Sequence, residues 1–132
     1  MPQAMATEIQ KQCETIEECY EFTLSFAARG LASDEGSELR VHLTRAAAAM
    51  RGLEQSCADA IAEECLTPVD KYEAFFAVVK RDAESALAAM ELVLAQPTIG
   101  SQLIDNLNAS IHLRALLADL FLITEILDAR QK

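Results

Sequence analysis

Apolar residues recur at intervals of three and four along most of the chain, which is the spacing of one face of an α-helix. Short segments that contain glycine or proline separate three such stripes. The stripe positions are Ile9, Cys13, Ile16, Tyr20, Leu24 and Ala27, then Leu39, Leu43, Ala46, Met50, Leu53, Cys57 and Ile61, then Tyr72, Phe76, Val79, Ala83, Ala86, Met90 and Val93. These stripes predict helices over about residues 8–29, 34–65 and 68–95. A fourth helix is predicted over about residues 101–129, where apolar residues are denser.

Residues with known preferences for helix ends mark these boundaries. The segment TEIQ, which begins at Thr7, has the form of a capping box at the start of the first helix. Ser33 or Asp34 is expected to cap the second helix. Thr67 is expected to cap the third, with Pro68 in its first position, where the missing backbone N–H costs nothing. The chain is therefore predicted to consist of four helices with short connections.

The short connections between these helices predict how they are arranged. Sequential helices joined in this way lie side by side and run in opposite directions, and their simplest arrangement is an up-down-up-down four-helix bundle. A chain of 132 residues is long enough to form one domain with a core of its own. The fold prediction is therefore all-α, with a single antiparallel four-helix bundle over residues 1–132.

The predicted fourth helix carries more apolar residues than the core of one bundle needs. From residue 115 to residue 127 its only polar residues are Asp119, Thr124 and Glu125. One stripe of this helix faces the core, and the remaining apolar positions would form a larger patch than soluble monomers usually expose. We therefore predict a homodimer with an interface that includes Leu113, Leu117, Phe121, Leu122 and Ile126.

The balance of charge limits the classes of partner. The chain has 11 basic and 21 acidic residues, a net charge of −10, and its basic residues do not cluster. Such a chain repels nucleic-acid phosphates and anionic membranes. The N-terminal segment MPQAMATEIQKQ lacks the pattern of a signal peptide, and the longest apolar run, residues 115–123, is too short to span a bilayer. We predict a cytoplasmic protein that binds neither nucleic acid nor membrane and keeps its cysteines reduced.

A histidine on the second helix offers one candidate chemistry. His42 is followed by Arg45, by Ala46 and Ala47, and by Gly52. Residues 42–52 resemble the signature of histidine-containing phosphotransfer domains, which are antiparallel four-helix bundles. In that family an exposed histidine is followed by a lysine three positions later, by small residues and by a glycine. The resemblance implies a phosphoryl group carried on His42 and steadied by Arg45.

The resemblance is confined to this segment, and the segment departs from the family pattern. Thr44 occupies a position that is usually apolar, and Ala46 occupies one that is usually glycine. The apolar stripe of the helix includes Leu43 and lies one residue out of register with the family pattern, which places His42 on the flank of the core. We therefore interpret His42 as a residue beside the core and keep phosphotransfer as an alternative function.

The four cysteines lie on the first two helices, at positions 13, 19, 57 and 65. Their spacings match no zinc finger or ribbon. Cys13 and Cys57 fall at about the same height on neighbouring stripes, so they are the candidate residues for a thiol or metal site. Packed helix axes lie about 8–10 Å apart, which favours two reduced thiols over a disulfide. Buried cysteine also serves as a small core residue, and on that interpretation the chain holds no metal or cofactor.

Four carboxylates form an acidic strip on the first helix, on the face turned away from its apolar stripe. The strip consists of Glu14, Glu17, Glu18 and Glu21. This pattern is typical of a solvated helix face. Its functional interpretation is a docking strip for a basic partner, with an affinity that falls as salt is added.

Motifs of the common helical enzymes are missing from the sequence. It has no Glu-x-x-His pair for a di-iron site, no glycine-rich phosphate loop and no His-Glu-x-x-His motif. We therefore predict a non-enzymatic protein that acts through protein–protein contacts, as an adaptor, small regulator or chaperone does. The alternatives are phosphotransfer through His42 and a thiol or metal site at Cys13 and Cys57.

Overall fold

The computed structural model describes residues 3–130, with side chains from residue 8 onward. This part of the chain contains five α-helices and no strand, so the prediction of an all-α fold is confirmed. The helices are α1 (Gln3–Ala28), α2 (Leu39–Glu64), α3 (Val69–Leu94), α4 (Ser101–Ala109) and α5 (His112–Arg130). Among the described residues, no helix combines the length and the apolar character needed to cross a membrane.

The starts of the first two helices differ from the predicted ones. Helix α1 already begins at Gln3, so Thr7 lies inside the helix and not at its cap. Helix α2 begins only at Leu39, several residues after the predicted cap at Ser33 or Asp34. The Leu39 N–H donates a hydrogen bond to Ser37 Oγ at 2.9 Å. The start of α3 agrees with the prediction to within one residue, since Val69 is its first helical residue.

The apolar stripes of α2 and α3 are confirmed, apart from one half-buried position in each helix. The predicted stripe of α1 is correct only as far as Ile16. Beyond that point Cys19, Thr23 and Phe26 are buried, whereas Leu24 is 48% exposed. A helix with 3.6 residues per turn can continue an inward face with a step of either three or four. The spacing of apolar residues alone therefore did not identify the buried face of the last turns of α1.

The prediction of one continuous fourth helix over residues 101–129 is wrong, because the chain breaks between α4 and α5. Ser110 donates its hydroxyl to the Leu107 carbonyl at 2.6 Å, and Ile111 has a left-handed backbone with φ 66°. Serine competes for backbone carbonyls in this way, and a left-handed residue commonly terminates a helix. Ile111 is a β-branched residue for which this conformation is uncommon, so local preference does not account for the break.

The break changes which face of the chain is buried. A continuous helix that buried Ile104 and Leu107 would also turn Ile111, Ala118 and Leu122 inward, given 100° of rotation per residue. Ile104 and Leu107 are indeed buried in α4, but Ile111 and Leu122 are exposed. Helix α5 instead buries a different set, namely Leu113, Leu116, Leu117, Leu120, Ile123 and Leu127. The two-residue interruption therefore lets both parts of this segment bury leucine and isoleucine.

Packing between helices brings most elements into contact. Helix α1 contacts α2, α4 and α5, and helix α3 contacts α2, α4 and α5. Leucine, isoleucine, alanine and cysteine from all five helices share one core. The exposed residues of α5 therefore lie on its outer side, between the flank that faces α1 and the flank that faces α3.

The loop before α2 is tied to the loop before α4 by hydrogen bonds. Ser101 donates its hydroxyl to the Phe26 carbonyl at 2.6 Å, and its Oγ accepts a bond from the Leu31 N–H at 2.8 Å. The Asp34 carboxylate accepts a bond from the Ile99 N–H at 2.9 Å. Asp34, expected to cap α2, therefore links the two loops, and this distant contact left no signal in the local sequence.

Candidate functional site

The predicted interface on the fourth helix is only partly available to a partner. Leu113 and Leu117 are 2% and 4% exposed, so the prediction that they belong to an exposed surface is wrong. Both are buried because the break before α5 rotates them toward the core. Phe121, Leu122 and Ile126 are 46%, 50% and 40% exposed, and they remain the candidate interface residues.

Two of these residues lie toward α3. Leu122 and Ile126 line a groove between α3 and α5 together with Tyr72 and Phe75, and its volume is about 240 Å³. Lys71 is the one charged residue in the lining. We call this group of five residues the α3/α5 surface. It is an apolar surface that carries no carboxylate in its lining.

Phe121 lies on the opposite flank of α5, toward α1. It lines a groove of about 400 Å³ with Tyr20 and Leu24 of α1, and we call it the α1/α5 groove. Glu17 and Glu21 of the predicted acidic strip also line this groove. The other two strip residues, Glu14 and Glu18, are exposed on the same helix. The structure thus brings half of the acidic strip to an apolar groove.

The candidate phosphoryl carrier His42 is half-buried. Its imidazole ring stacks on the ring of Phe22, with centroids 4.2 Å apart and planes 20° apart. Arg45 is exposed one turn further along α2. One face of the imidazole is therefore occupied by α1, as expected for a residue on the flank of the core.

The glycine of the same motif also has a role within the chain. A Cβ added at Gly52 would lie 2.7 Å from Nε2 of Gln12, whose side chain is almost fully buried between α1 and α2. Gly52 therefore makes room for a side chain of α1. Internal packing explains a residue that the resemblance assigns to the approach of a receiver domain.

We expect no phosphoryl transfer to His42 when the protein is incubated with receiver domains charged by acetyl phosphate. The stack on Phe22 holds the imidazole against the flank of the core, and the neighbouring cation is an arginine in place of the lysine of the family. Radiolabel transfer followed by gel electrophoresis measures the outcome. Transfer that is present in the wild type and lost in His42→Ala would contradict this expectation.

The cysteines belong to no cluster of three or more candidate metal ligands among the described residues. All four are free. Burial, then the charges of Glu17 and Glu14, raise the pKa of the Cys13 thiol from 9.0 to about 11. Burial alone raises the pKa of Cys57 to about 12. Neutral buried thiols are poor metal ligands and poor nucleophiles.

Thiol titration of the native protein should therefore detect one reactive cysteine. Cys65 is exposed at the end of α2, whereas Cys13, Cys19 and Cys57 are buried. We expect Cys65 to react within the dead time of a colorimetric thiol assay and the other three to react only after denaturation. The variant Cys65→Ser provides the control, because it should remove the fast phase alone. Any thiol that still reacts in the fast phase of that variant would contradict the prediction.

A pair of carboxyl groups between α3 and α5 was missed by the sequence analysis. Burial, then a hydrogen bond and charge repulsion from Asp82, raise the pKa of Asp119 from 3.8 to about 7. Asp119 Oδ2 is buried without a hydrogen-bond partner, which disfavours the charged form of this carboxyl. The available signal was Asp119 itself, the one acid within the apolar run 115–123. Its partner Asp82 is distant in sequence and required the tertiary structure.

The raised pKa of Asp119 predicts a pH-dependent stability. The folded state retains its proton up to about pH 7, whereas the unfolded chain releases it near 3.8, so the stabilising contribution is full below 3.8 and is lost as the pH rises to about 7. Asp119→Asn should remove this dependence and raise the free energy of unfolding above pH 7 by about 1–2 kcal/mol, after allowance for partial exposure. Urea unfolding across this pH range measures both effects. The exposed Asp105→Asn is the control, and an equal gain there would contradict the prediction.

Comparison of the chain with protein-family models, curated proteins and solved structures found no match. What supports a function is therefore the geometry of the chain's own residues. The candidate features are the α3/α5 surface and the α1/α5 groove, which lie on the two flanks of one helix.

Proposed function

We propose that this chain is a non-enzymatic helical protein that acts through protein–protein contacts and associates as a homodimer. The observation that carries the proposal is the α3/α5 surface, where Leu122 and Ile126 are half-exposed beside a groove with apolar walls. Burying apolar area of this kind against a partner is favourable by about 25 cal/mol per Å². Contiguous apolar surfaces on soluble proteins are typical of interaction sites.

The α3/α5 surface is suited to two-fold association because apolar side chains from both helices line its groove. In a two-fold dimer each patch faces its own copy. Leu122 and Ile126 of one chain would pack against Tyr72 and Phe75 of the other, and the reverse contact would follow by symmetry. The lining contains no carboxylate, which favours self-association at this place in a chain with a net charge of −10.

We also propose that the helices form an antiparallel up-down-up-down four-helix bundle, with α4 and α5 together in the place of the fourth helix. Contacts of α1 with α2, α2 with α3, α3 with α5 and α5 with α1 support it, because they close a ring. In such a ring, the outer side of α5 is free to meet another chain. The dimer surface and the bundle are therefore compatible.

The distribution of reactive side chains supports a role without catalysis. His42 is stacked on Phe22, and the thiols of Cys13, Cys19 and Cys57 are buried in a protonated state. Cys57 lines a groove with Lys80, but Lys80 pairs with Glu54 at 3.4 Å, and burial raises the pKa of the Cys57 thiol to about 12. We further propose a cytoplasmic location, where free cysteines stay reduced.

Light scattering of the purified protein at micromolar concentration tests the homodimer. We expect a mass of twice 14.4 kDa, falling toward 14.4 kDa on dilution. A mass of 14.4 kDa throughout this range would overturn the dimer. Crosslinking in a Cys65→Ser background then locates the contact: the single variants Leu122→Cys and Phe75→Cys should crosslink when they are mixed and should not crosslink separately.

A further inference from the structure

The α1/α5 groove differs from the dimer surface in its charge. Its apolar walls include Tyr20, Leu24 and Phe121, of which Leu24 is 48% and Phe121 46% exposed. Its rim includes the carboxylates of Glu17 and Glu21, with Arg114 as the one lining cation. An apolar floor beside acidic residues is the complement of a helix with one apolar and one basic face.

The carboxylates along this groove form no ion pair with another described residue. Five ion pairs are present among the described residues, and none of them includes a residue of the acidic strip. A basic partner would supply the missing counter-charges.

The shape of the groove matches one helix better than a broad globular surface. It follows the line between two packed helices and has a volume of about 400 Å³. That volume accommodates a few large apolar side chains, which an amphipathic helix presents at positions i, i+3, i+4 and i+7. The remaining face of such a helix would place its lysines or arginines toward Glu17 and Glu21.

A second copy of this chain is a poor occupant of the same groove. The chain carries a net charge of −10, and its own basic residues do not cluster into a basic helix face. Charge complementarity therefore favours a different protein here, whereas the carboxylate-free α3/α5 surface suits a second copy.

We infer that the α1/α5 groove binds a basic amphipathic helix of another protein. This inference rests on the proposal that the chain acts through protein contacts, and it does not depend on the homodimer. The two sites lie on opposite flanks of α5, so the protein would hold a partner helix on one flank while it self-associates through the other.

Fluorescence anisotropy with a labelled synthetic helix of leucine and lysine, leucine on one face only, tests the inference on the full chain. We expect saturable binding that weakens as salt is added, and no binding of a matched helix with glutamate in place of lysine. Leu24→Ser should weaken binding about tenfold, because it removes an apolar wall of the groove. Glu17→Gln/Glu21→Gln should weaken it about fivefold.

A variant with the same change in net charge separates site binding from general attraction. Glu35→Gln/Glu63→Gln alters two exposed carboxylates outside the groove and should leave the affinity within about twofold of the wild type. Equal weakening in this variant, or no saturable binding by the wild type, would overturn the inference. The variant Leu122→Glu/Ile126→Glu should still bind the basic helix, so a failure of the dimer and a failure of the groove are distinguishable.

Discussion

The double variant Leu122→Glu/Ile126→Glu should be monomeric under conditions in which the wild type has twice the mass of one 14.4 kDa chain. The two side chains are 50% and 40% exposed, so each has roughly 1 kcal/mol of burial still to gain in a dimer. A symmetric dimer contains both residues twice, which amounts to roughly 4 kcal/mol, or several hundredfold in the dissociation constant. Carboxylates at these positions would also lose their hydration against the aromatic rings of Tyr72 and Phe75 of the other copy.

A control variant tests whether loss of the dimer is specific to the α3/α5 surface. Val41 and Leu92 are 45% and 68% exposed on α2 and α3 and lie outside both grooves. Val41→Glu/Leu92→Glu adds the same charge and should remain dimeric by light scattering. Circular dichroism should show near-native helicity in both variants, because none of the four positions is in the core. Loss of the dimer in both variants would indicate a general charge effect and contradict the assignment of the surface.

Replacing Arg40 with methionine should reduce the free energy of unfolding by about 2–3 kcal/mol. Its Nε donates a hydrogen bond to Asp34 Oδ2 at 2.7 Å. Nη1 donates to the Leu94 carbonyl at 3.0 Å, and Nη2 donates to the Gln96 carbonyl at 2.7 Å. One guanidinium therefore satisfies carbonyls at the C-terminal end of α3 and holds the loop before α2 against it.

Urea unfolding of Arg51→Met provides the comparison. Arg51 pairs with Glu91 at 2.6 Å, but both side chains are about half exposed, and solvated pairs of this kind contribute less than about 1 kcal/mol. Arg40→Lys should recover only part of the loss, since one ammonium cannot reproduce the planar fork of donors. Equal destabilisation by Arg40→Met and Arg51→Met would contradict the role assigned to Arg40.

The apolar contacts of Leu122 and Ile126 and the hydrogen bonds of Arg40 differ in how far the sequence predicts them. The apolar residues of α5 are visible in the sequence, although only the structure separated the buried Leu113 and Leu117 from the exposed Leu122 and Ile126. The contacts of Arg40 with the Leu94 and Gln96 carbonyls join residues more than fifty positions apart, and Arg40 has no distinguishing local pattern. Distance along the chain is therefore what limited prediction.

Local periodicity was sufficient where a helix buries one straight stripe. Spacings of three and four residues predicted the all-helical class and the stripes of α2 and α3. The Thr67-Pro68 boundary predicted the start of α3. The same reasoning placed His42 on the flank of the core stripe, and its ring indeed stacks on Phe22. The stripes and the start of α3 depend on spacings within a few residues, which the sequence specifies directly.

At some positions the spacing of apolar residues is compatible with more than one buried helix face. There, only the tertiary structure decided which face is buried. The last turns of α1 bury Phe26 and expose Leu24, and the break at Ile111 turns Leu113 inward. The packing of α5 against α3 brings Asp82 close to Asp119. The packing of α5 against α1 likewise places Glu17 and Phe121 in one groove. The sequence by itself determined helices and most of their apolar stripes, because helix periodicity is local. Packing determined the grooves and the paired carboxyls, because each requires two helices at a specific rotation about their axes.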